Sequence, residues 1–167
     1  MKHKLFFALF AIILCSFITE PFAYYFSTVD PETGKSGRKP EQTTAVYQKP
    51  KGKATTADYI ITGTKSSVRL KIAEAIFNAY PDESSTTLDP SLYIALFKLS
   101  TGKTNRILSM SSDGGGALWI PVNITRPDPY SIRITPGIAM QPGEYALVDR
   151  TTKTSEGNVT VWTFGID

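Results

Sequence analysis

The sequence predicts an all-β fold: an antiparallel Ig-like β-sandwich behind a flexible N-terminal arm. Three observations predict it. Short segments rich in β-branched and aromatic residues recur from Asp58 to the C-terminus, with turn residues between them. No strand–helix–strand alternation appears, so a parallel sheet is not expected. The stretch from about Asp30 to Ala57 has a different composition, poor in large apolar residues.

The elements follow in chain order. The 167-residue chain opens Met1, Lys2, His3, Lys4 and continues as an apolar run from Leu5 to Ile18, broken only by Ser16. Glu20 and Pro21 end the run, short of the roughly 20 residues a spanning helix wants. Lysines, an apolar stretch and a small residue at its polar end are the parts of a signal peptide, so residues 1–23 are expected to be removed after Ala23. Cys15 follows Leu14, where a lipid-anchored cysteine wants Gly or Ala, so no lipid anchor is expected. Residues 24–57 read as a flexible basic arm. From Asp30 to Ala57 they hold Lys35, Arg38, Lys39, Lys49, Lys51 and Lys53 among prolines and glycines, and Val46 and Tyr47 are the chief large apolar residues of that stretch. Such a stretch buries too little surface to offset its ordering entropy. Tyr24, Tyr25 and Phe26 are expected to dock as a short strand.

Residues 58–167 read as the β-sandwich domain. Tyr59–Thr62 is a strand that ends at Gly63. Ser67–Ala79 reads two ways: a helix with Val68, Ile72, Ile76 and Ala79 on one stripe, or strands beginning with the alternation Val68, Leu70, Ile72, which is the favoured reading. Leu92–Leu99 is almost continuously apolar and suits a central strand. A turn at Thr101–Lys103 leads into the strand Arg106–Met110. The loop Asp113–Gly116 precedes Leu118–Ile124, where Pro121 marks an edge strand or a bulge. Tyr130–Thr135 has a clear period of two. Pro142 and Gly143 form a turn in which Gly supplies positive φ, and Glu144–Val148 follows. Val159–Ile166 is the last strand.

The chemistry is narrowed by what the leader carries away. His3 and Cys15 are the only histidine and the only cysteine of the chain, so the mature protein would have neither. A Ser-His-Asp triad, a Cys-His dyad and a structural zinc site are then excluded. Catalysis would fall to carboxylates, Lys, Tyr or a hard oxygen-bound metal. Glu74, Glu144 and Asp149 are candidate acids, but nothing in the sequence pairs them, and Asp82 and Glu83 are neighbours in a polar loop. No catalytic residue, metal site or cofactor is expected. The net charge of +3 comes from scattered basic residues rather than a dense stripe, so nucleic acid is not an expected partner. No transmembrane segment is expected once the leader is gone.

Several motifs are weighed on spacing. Gly34-Lys35-Ser36 and Gly102-Lys103-Thr104 look like the end of a phosphate loop, but Val29 and Phe97 stand where its first Gly is needed, so both are read as turns. Asn123 and Asn158 begin glycosylation sequons, but both are read as strand chemistry with Thr at β positions. Trp119 and Trp162 sit in apolar strands, where packing is the default role. Trp119 together with the loop Asp113, Gly114, Gly115, Gly116 is the candidate binding site, because glycine backbone can approach a ligand closely.

Several segments in order carry a resemblance: Gly63 and Ser66, Leu92–Leu99, Arg106-Ile107, the Gly-rich loop before Ile120-Pro121-Val122, Tyr130–Ile134, Met140–Leu147 and Phe164–Asp167. From Gly63 to Asp167 the chain resembles a group of exported bacterial β-sandwich domains of uncharacterised function. Their hallmarks are a Pro-Gly-Glu-Tyr-Ala turn and strand and an aromatic-Gly terminal strand. The resemblance implies an all-β fold, a periplasmic or extracellular setting, and strands over residues 67–79. The expected function is an exported, non-enzymatic binding module for a protein or an envelope glycan. An inhibitor or immunity-type protein for an exported enzyme and a carboxylate-based glycoside hydrolase are the alternatives.

Overall fold

Between Asn105 and Ser111 every second side chain is buried: Arg106, Leu108 and Met110. That is the signature of a strand covered on one face. In the segment Gly143–Asp149 the alternation vanishes, because every residue after Gly143 is buried. These two patterns dictate the architecture: some strands wall one core, and others are shared between two.

The computed structural model describes residues 24–50, 55–80, 89–111, 116 and 118–167. Its strands are β1 (Tyr25–Thr28), β2 (Glu41–Gln48), β3 (Thr56–Thr62), β4 (Arg69–Leu70), β5 (Phe77–Tyr80), β6 (Ile94–Thr101), β7 (Asn105–Ser111), β8 (Trp119–Ile120), β9 (Val122–Asp128), β10 (Ser131–Pro136), β11 (Gly143–Asp149) and β12 (Val159–Ile166). The fold is all-β and antiparallel, apart from a short parallel pairing of β4 with the end of β12. Among the described residues no helix is long and apolar enough to cross a membrane.

The larger sheet runs β11-β12-β2-β3-β7-β6, and β6 pairs again with β11, so six strands close into a barrel. An Ig-like sandwich keeps two open sheets. The Ig-like part of the expectation is therefore replaced by a barrel with a smaller sheet, β1-β5-β10-β9, packed against it. The seam between β6 and β7 is short. It holds at Ser100↔Ile107 and Thr101↔Arg106, and further along the same edge of β6 the strand β8 takes over, at Leu96↔Ile120 and Phe97↔Trp119.

Two cores result. The barrel interior holds Ala45, Tyr59, Ile61, Ala95, Phe97, Leu108, Ala146, Val148 and Val161. Alanines on three staves leave room for Phe97 and Tyr59, as a narrow barrel requires. The second core lies between the barrel wall and the small sheet, where Leu96, Leu147, Trp162 and Phe164 meet Phe26, Phe77, Ile132 and Ile134. Phe26 meets Trp162 edge-on at 4.7 Å between ring centres, and Phe77 meets Phe164 at 4.8 Å. Each such fully buried side chain stabilises the fold by about 1.5–3 kcal/mol. Thus β6, β11 and β12 form a wall with a core on each side.

One further expectation changes. The segment 24–57 is not a flexible arm where it is described: β2 lies in the barrel between β12 and β3, with partners from Val159↔Ala45 to Thr163↔Glu41 and from Val46↔Ile60 to Gln48↔Asp58. A barrel stave facing solvent on its outside needs little apolar surface, and in β2 only Ala45 is fully buried. The docking expected of Tyr24–Phe26 occurs as β1, paired with β5. Over residues 67–79 the favoured strand reading holds in part: β4 and the start of β5 are strands, with a single 3₁₀ turn at Ile72–Glu74 between them and no α-helix. The leader, residues 1–23, lies outside the described residues.

Candidate binding site at the open end of the barrel

The two ends of the barrel are built from the same strands but differ in chemistry. At one end, inward positions carry charge. Arg106 of β7 is 2% exposed, and Glu144 of β11 is 6% exposed. The Arg106 guanidinium donates from Nε to the carbonyl of Gly63 at 3.1 Å and from Nη2 to that of Thr62 at 3.1 Å. It lies 3.6 Å from Glu41 Oε2 and 3.8 Å from Glu144 Oε2. Glu144 also accepts the Ser66 backbone N–H at 2.7 Å and pairs with Arg69, which in turn donates from Nε to Asp167 at 3.0 Å. Arg69 can lie across β12 because residue 165 is glycine: a Cβ there would fall within 1.6 Å of the guanidinium.

These contacts set protonation. Burial pushes the Glu41 carboxyl up, but hydrogen bonds from Thr163, Ser66 and Ser67 and the charge of Arg106 outweigh it and hold its pKa below the usual value. The Arg69 side chain holds Asp167 down in the same way. Buried charge persists only when paired and hydrogen-bonded, and here three carboxylates and two guanidiniums close the end of the barrel.

At the other end the inward residues are Tyr47, Tyr59, Met110, Val148 and Val159, and they line a cavity of about 480 Å³. Tyr47 and Tyr59 face each other on neighbouring strands, with ring centres 5.6 Å apart and planes at 60°. Burial, and the neighbouring Tyr47, push the Tyr59 phenol above its ordinary pKa, so it stays a neutral hydrogen-bonding group at the cavity wall. Thr55, Thr56 and Ser111 add hydroxyls, and the connection between β11 and β12 adds Arg150 and Lys153. Among the described residues no Asp or Glu lines this cavity. An apolar, aromatic recess with a few hydroxyls and cations at the mouth of a barrel is a common form of ligand site.

Of the residues singled out from the sequence, the described ones, Gly116 and Trp119, do not line this cavity. Asp113, Gly114 and Gly115 lie outside the described residues. Gly116 is described, with φ +152°, and it sits against the barrel seam: a Cβ there would lie 2.8 Å from the carbonyl oxygen of Ser109 and 3.8 Å from the Phe97 ring. Trp119 is 45% exposed, so the packing role expected of both tryptophans holds only for Trp162. Trp119 borders a shallow depression of about 190 Å³ with Ile138, Met140 and Tyr145, and this depression is distinct from the barrel mouth. The candidate acids are dispersed: Glu74 accepts the Lys71 backbone N–H on the 3₁₀ turn, Glu144 sits at the closed end, and Asp149 is buried at the end of β11. The glycines of the two phosphate-loop mimics lie in turns, Gly34 donating to the carbonyl of Asp30 and Gly102 to that of Asn105.

Sequence reasoning missed the mouth. Its signal was present but faint: Tyr47 and Tyr59 are aromatic residues at equivalent inward positions of two strands, one of which was read as an arm. A scan against protein-family models finds no match, and searches of curated proteins and of solved structures find none either.

Proposed function

We propose that the protein is an exported, non-enzymatic binding module whose ligand, a protein segment or an envelope glycan, enters the open end of the barrel. The observation that carries this reading is the asymmetry of the barrel: one end is closed by paired charges, while the other opens on a cavity walled by Tyr47, Tyr59 and Met110. Aromatic walls with hydroxyls nearby suit the face of a sugar ring or an inserted side chain. The immunity-type version of the reading takes an exported enzyme as the protein partner. The leader over residues 1–23 supports a periplasmic or extracellular setting, and kinship with the exported β-sandwich group rests on Pro142–Leu147 and the strand that ends at Ile166. A carboxylate-based hydrolase draws less support. Glu41 and Glu144 do converge, but Arg106 and Arg69 hold them at the closed end rather than across a cleft.

A second reading has its own observation: the exposed Trp119 beside exposed Ile138 makes an apolar face on the outside of the barrel. One experiment separates the two. The wild-type protein and the Tyr47→Ala, Lys153→Glu and Trp119→Ala variants serve as baits for an envelope extract and as probes on a glycan array. The mouth reading expects Tyr47→Ala and Lys153→Glu to lose a partner that Trp119→Ala keeps. The reverse pattern moves the site to Trp119, and blank results with the wild type on both platforms overturn the binding function.

A further inference from the structure

The cavity at the open end divides its chemistry between staves and rim. Val148 near the end of β11 and Val159 at the start of β12 both line it. The connection between those two strands supplies Arg150 and Lys153, the charged residues among its described lining. The cations thus lie beyond the ends of the staves, and the aromatic and aliphatic walls belong to the staves themselves. The connection is braced. Asp149 accepts the Thr151 backbone N–H at 2.9 Å and so caps the 3₁₀ turn Arg150–Thr152. The Arg150 backbone N–H donates to the Tyr93 carbonyl at 2.9 Å. The Thr152 hydroxyl donates to the Asp149 carbonyl at 2.7 Å and accepts the Thr160 backbone N–H at 3.1 Å. At the far end Asn158 Oδ1 accepts the Tyr47 backbone N–H at 2.9 Å, and Gly157 lies against the Tyr47 ring. A rim held in this way meets a ligand without a large ordering cost.

The described carboxylates nearest in sequence do not neutralise these cations. Asp149 follows Val148 and so falls on the opposite face of β11. Asp58 is on the outer side of β3, where it accepts the Ser109 hydroxyl at 2.6 Å. Glu156 accepts the Asn158 side-chain amide at 3.3 Å. Lys153 is exposed and makes no ion pair among the described residues. Below the rim, Met110, Val148 and Val159 share the wall with Tyr47 and Tyr59. An apolar side chain suits that wall better than a sugar, whose ring hydroxyls would lose water against aliphatic groups.

We propose that the mouth selects an amphiphilic anion: a large apolar side chain enters between Tyr47, Tyr59 and Met110, and a carboxylate beside it meets the charge of Lys153 and Arg150. The inference rests on the reading of the mouth as the binding site. It narrows the partner to a protein segment in which an acidic residue, or the chain end, adjoins a large apolar residue. The size fits. An apolar cavity of about 150 Å³ takes benzene, so about 480 Å³ holds an aromatic ring and a short chain that reaches the rim.

The test uses phenylbutanoate, phenylbutanamide and phenylbutylamine, which share one body and differ in charge. Each is titrated into the protein with isotope-labelled methionine methyl groups, followed by NMR. Beyond Met1 the chain has two methionines, Met110 and Met140. Met110 lines the mouth and Met140 the depression beside Trp119, so each signal reports one site. The expected result is a Met110 shift that saturates with the acid at a concentration about tenfold below that for the amide. The amine binds weakest, and Met140 stays still. Lys153→Glu is expected to abolish the preference for the acid and Lys153→Arg to keep it. Equal affinities of acid and amide at Met110 overturn the anion selectivity and leave the mouth standing as a site. Glucuronate carries its carboxylate on a sugar ring, and tighter binding of glucuronate than of phenylbutanoate at Met110 overturns the protein segment in favour of an acidic glycan. A shift of Met140 alone, or none at Met110 with any probe in the millimolar range expected of ligands this small, overturns the mouth reading together with the inference.

Discussion

The closed and open ends of the barrel share β2, β3, β7, β11 and β12, so what separates them is side-chain chemistry rather than topology. On β7 the inward series runs Arg106, Leu108, Met110, from a paired charge through an aliphatic plug to a cavity wall. On β11 it runs Glu144, Ala146, Val148, and on β2 from Glu41 through Ala45 to Tyr47. These three staves thus carry the same polarity gradient along the barrel axis. The lesson is that a barrel this narrow leaves room for a ligand only where its residues stop satisfying one another. Where charges pair, the end is sealed; where aromatic and aliphatic side chains line the wall, space remains.

Breaking the closed end tests the comparison most severely. Arg106→Ala removes the donors to Gly63 and Thr62 and leaves Glu144 and Glu41 without their shared cation. Removing one partner of a buried pair costs about 3–5 kcal/mol, so denaturant unfolding is expected to show a loss of that size, with the mouth cavity unaltered. A loss below about 1 kcal/mol would mean that the seal behaves as a surface ion pair and that the two ends differ less than described. A smaller effect is expected at the seam. Gly116→Ala places a Cβ against the Ser109 carbonyl in a backbone conformation that favours glycine, at a cost of about 1–3 kcal/mol, read as a shift in the denaturation midpoint.

The smallest effect concerns protonation. The Glu41 carboxyl has its pKa lowered in the folded state. Its contribution is therefore present above the ordinary glutamate value of about 4.3 and is lost as pH falls through the lowered folded value. Glu41→Gln is expected to flatten part of the acid limb of a stability–pH curve measured between about pH 3 and 7. Lys153→Glu at the open end is expected to leave that limb in place, since among the described residues no carboxylate lines the mouth. Equal flattening by both changes would erase the distinction between the ends.

Much of the fold was legible in local pattern. The alternation in Arg106–Met110 and Tyr130–Thr135 reports strands with one covered face. The almost continuous apolar run Leu92–Leu99 reports β6, a strand with a core on each side. What was not legible depends on partners distant in sequence. The pairing of β2 with β12 joins Glu41–Ala45 to Val159–Thr163, and it turns a polar-looking segment into a stave. No local periodicity announces that closure, because β2 needs only Ala45 and the aromatic edge of Tyr47 to face inward. Arg106 was readable as a strand residue but not as a buried one, since Glu144 and Glu41, which make its burial possible, lie far away along the chain. The exposure of Trp119 was also hidden: it sits in a two-residue strand on the edge of β6, with one side uncovered by the described residues.

The wall formed by β6, β11 and β12 has a consequence for how the molecule comes apart. Its residues alternate between two cores, so Leu147 belongs to one and Val148 to the other. Neither core can lose its packing while these strands remain paired as they are, and neither can keep it once they separate. Two hydrophobic cores would ordinarily allow two melting events. Sharing a wall couples them into one cooperative unit, so circular dichroism and aromatic fluorescence, which report on different parts of the molecule, should follow a single transition.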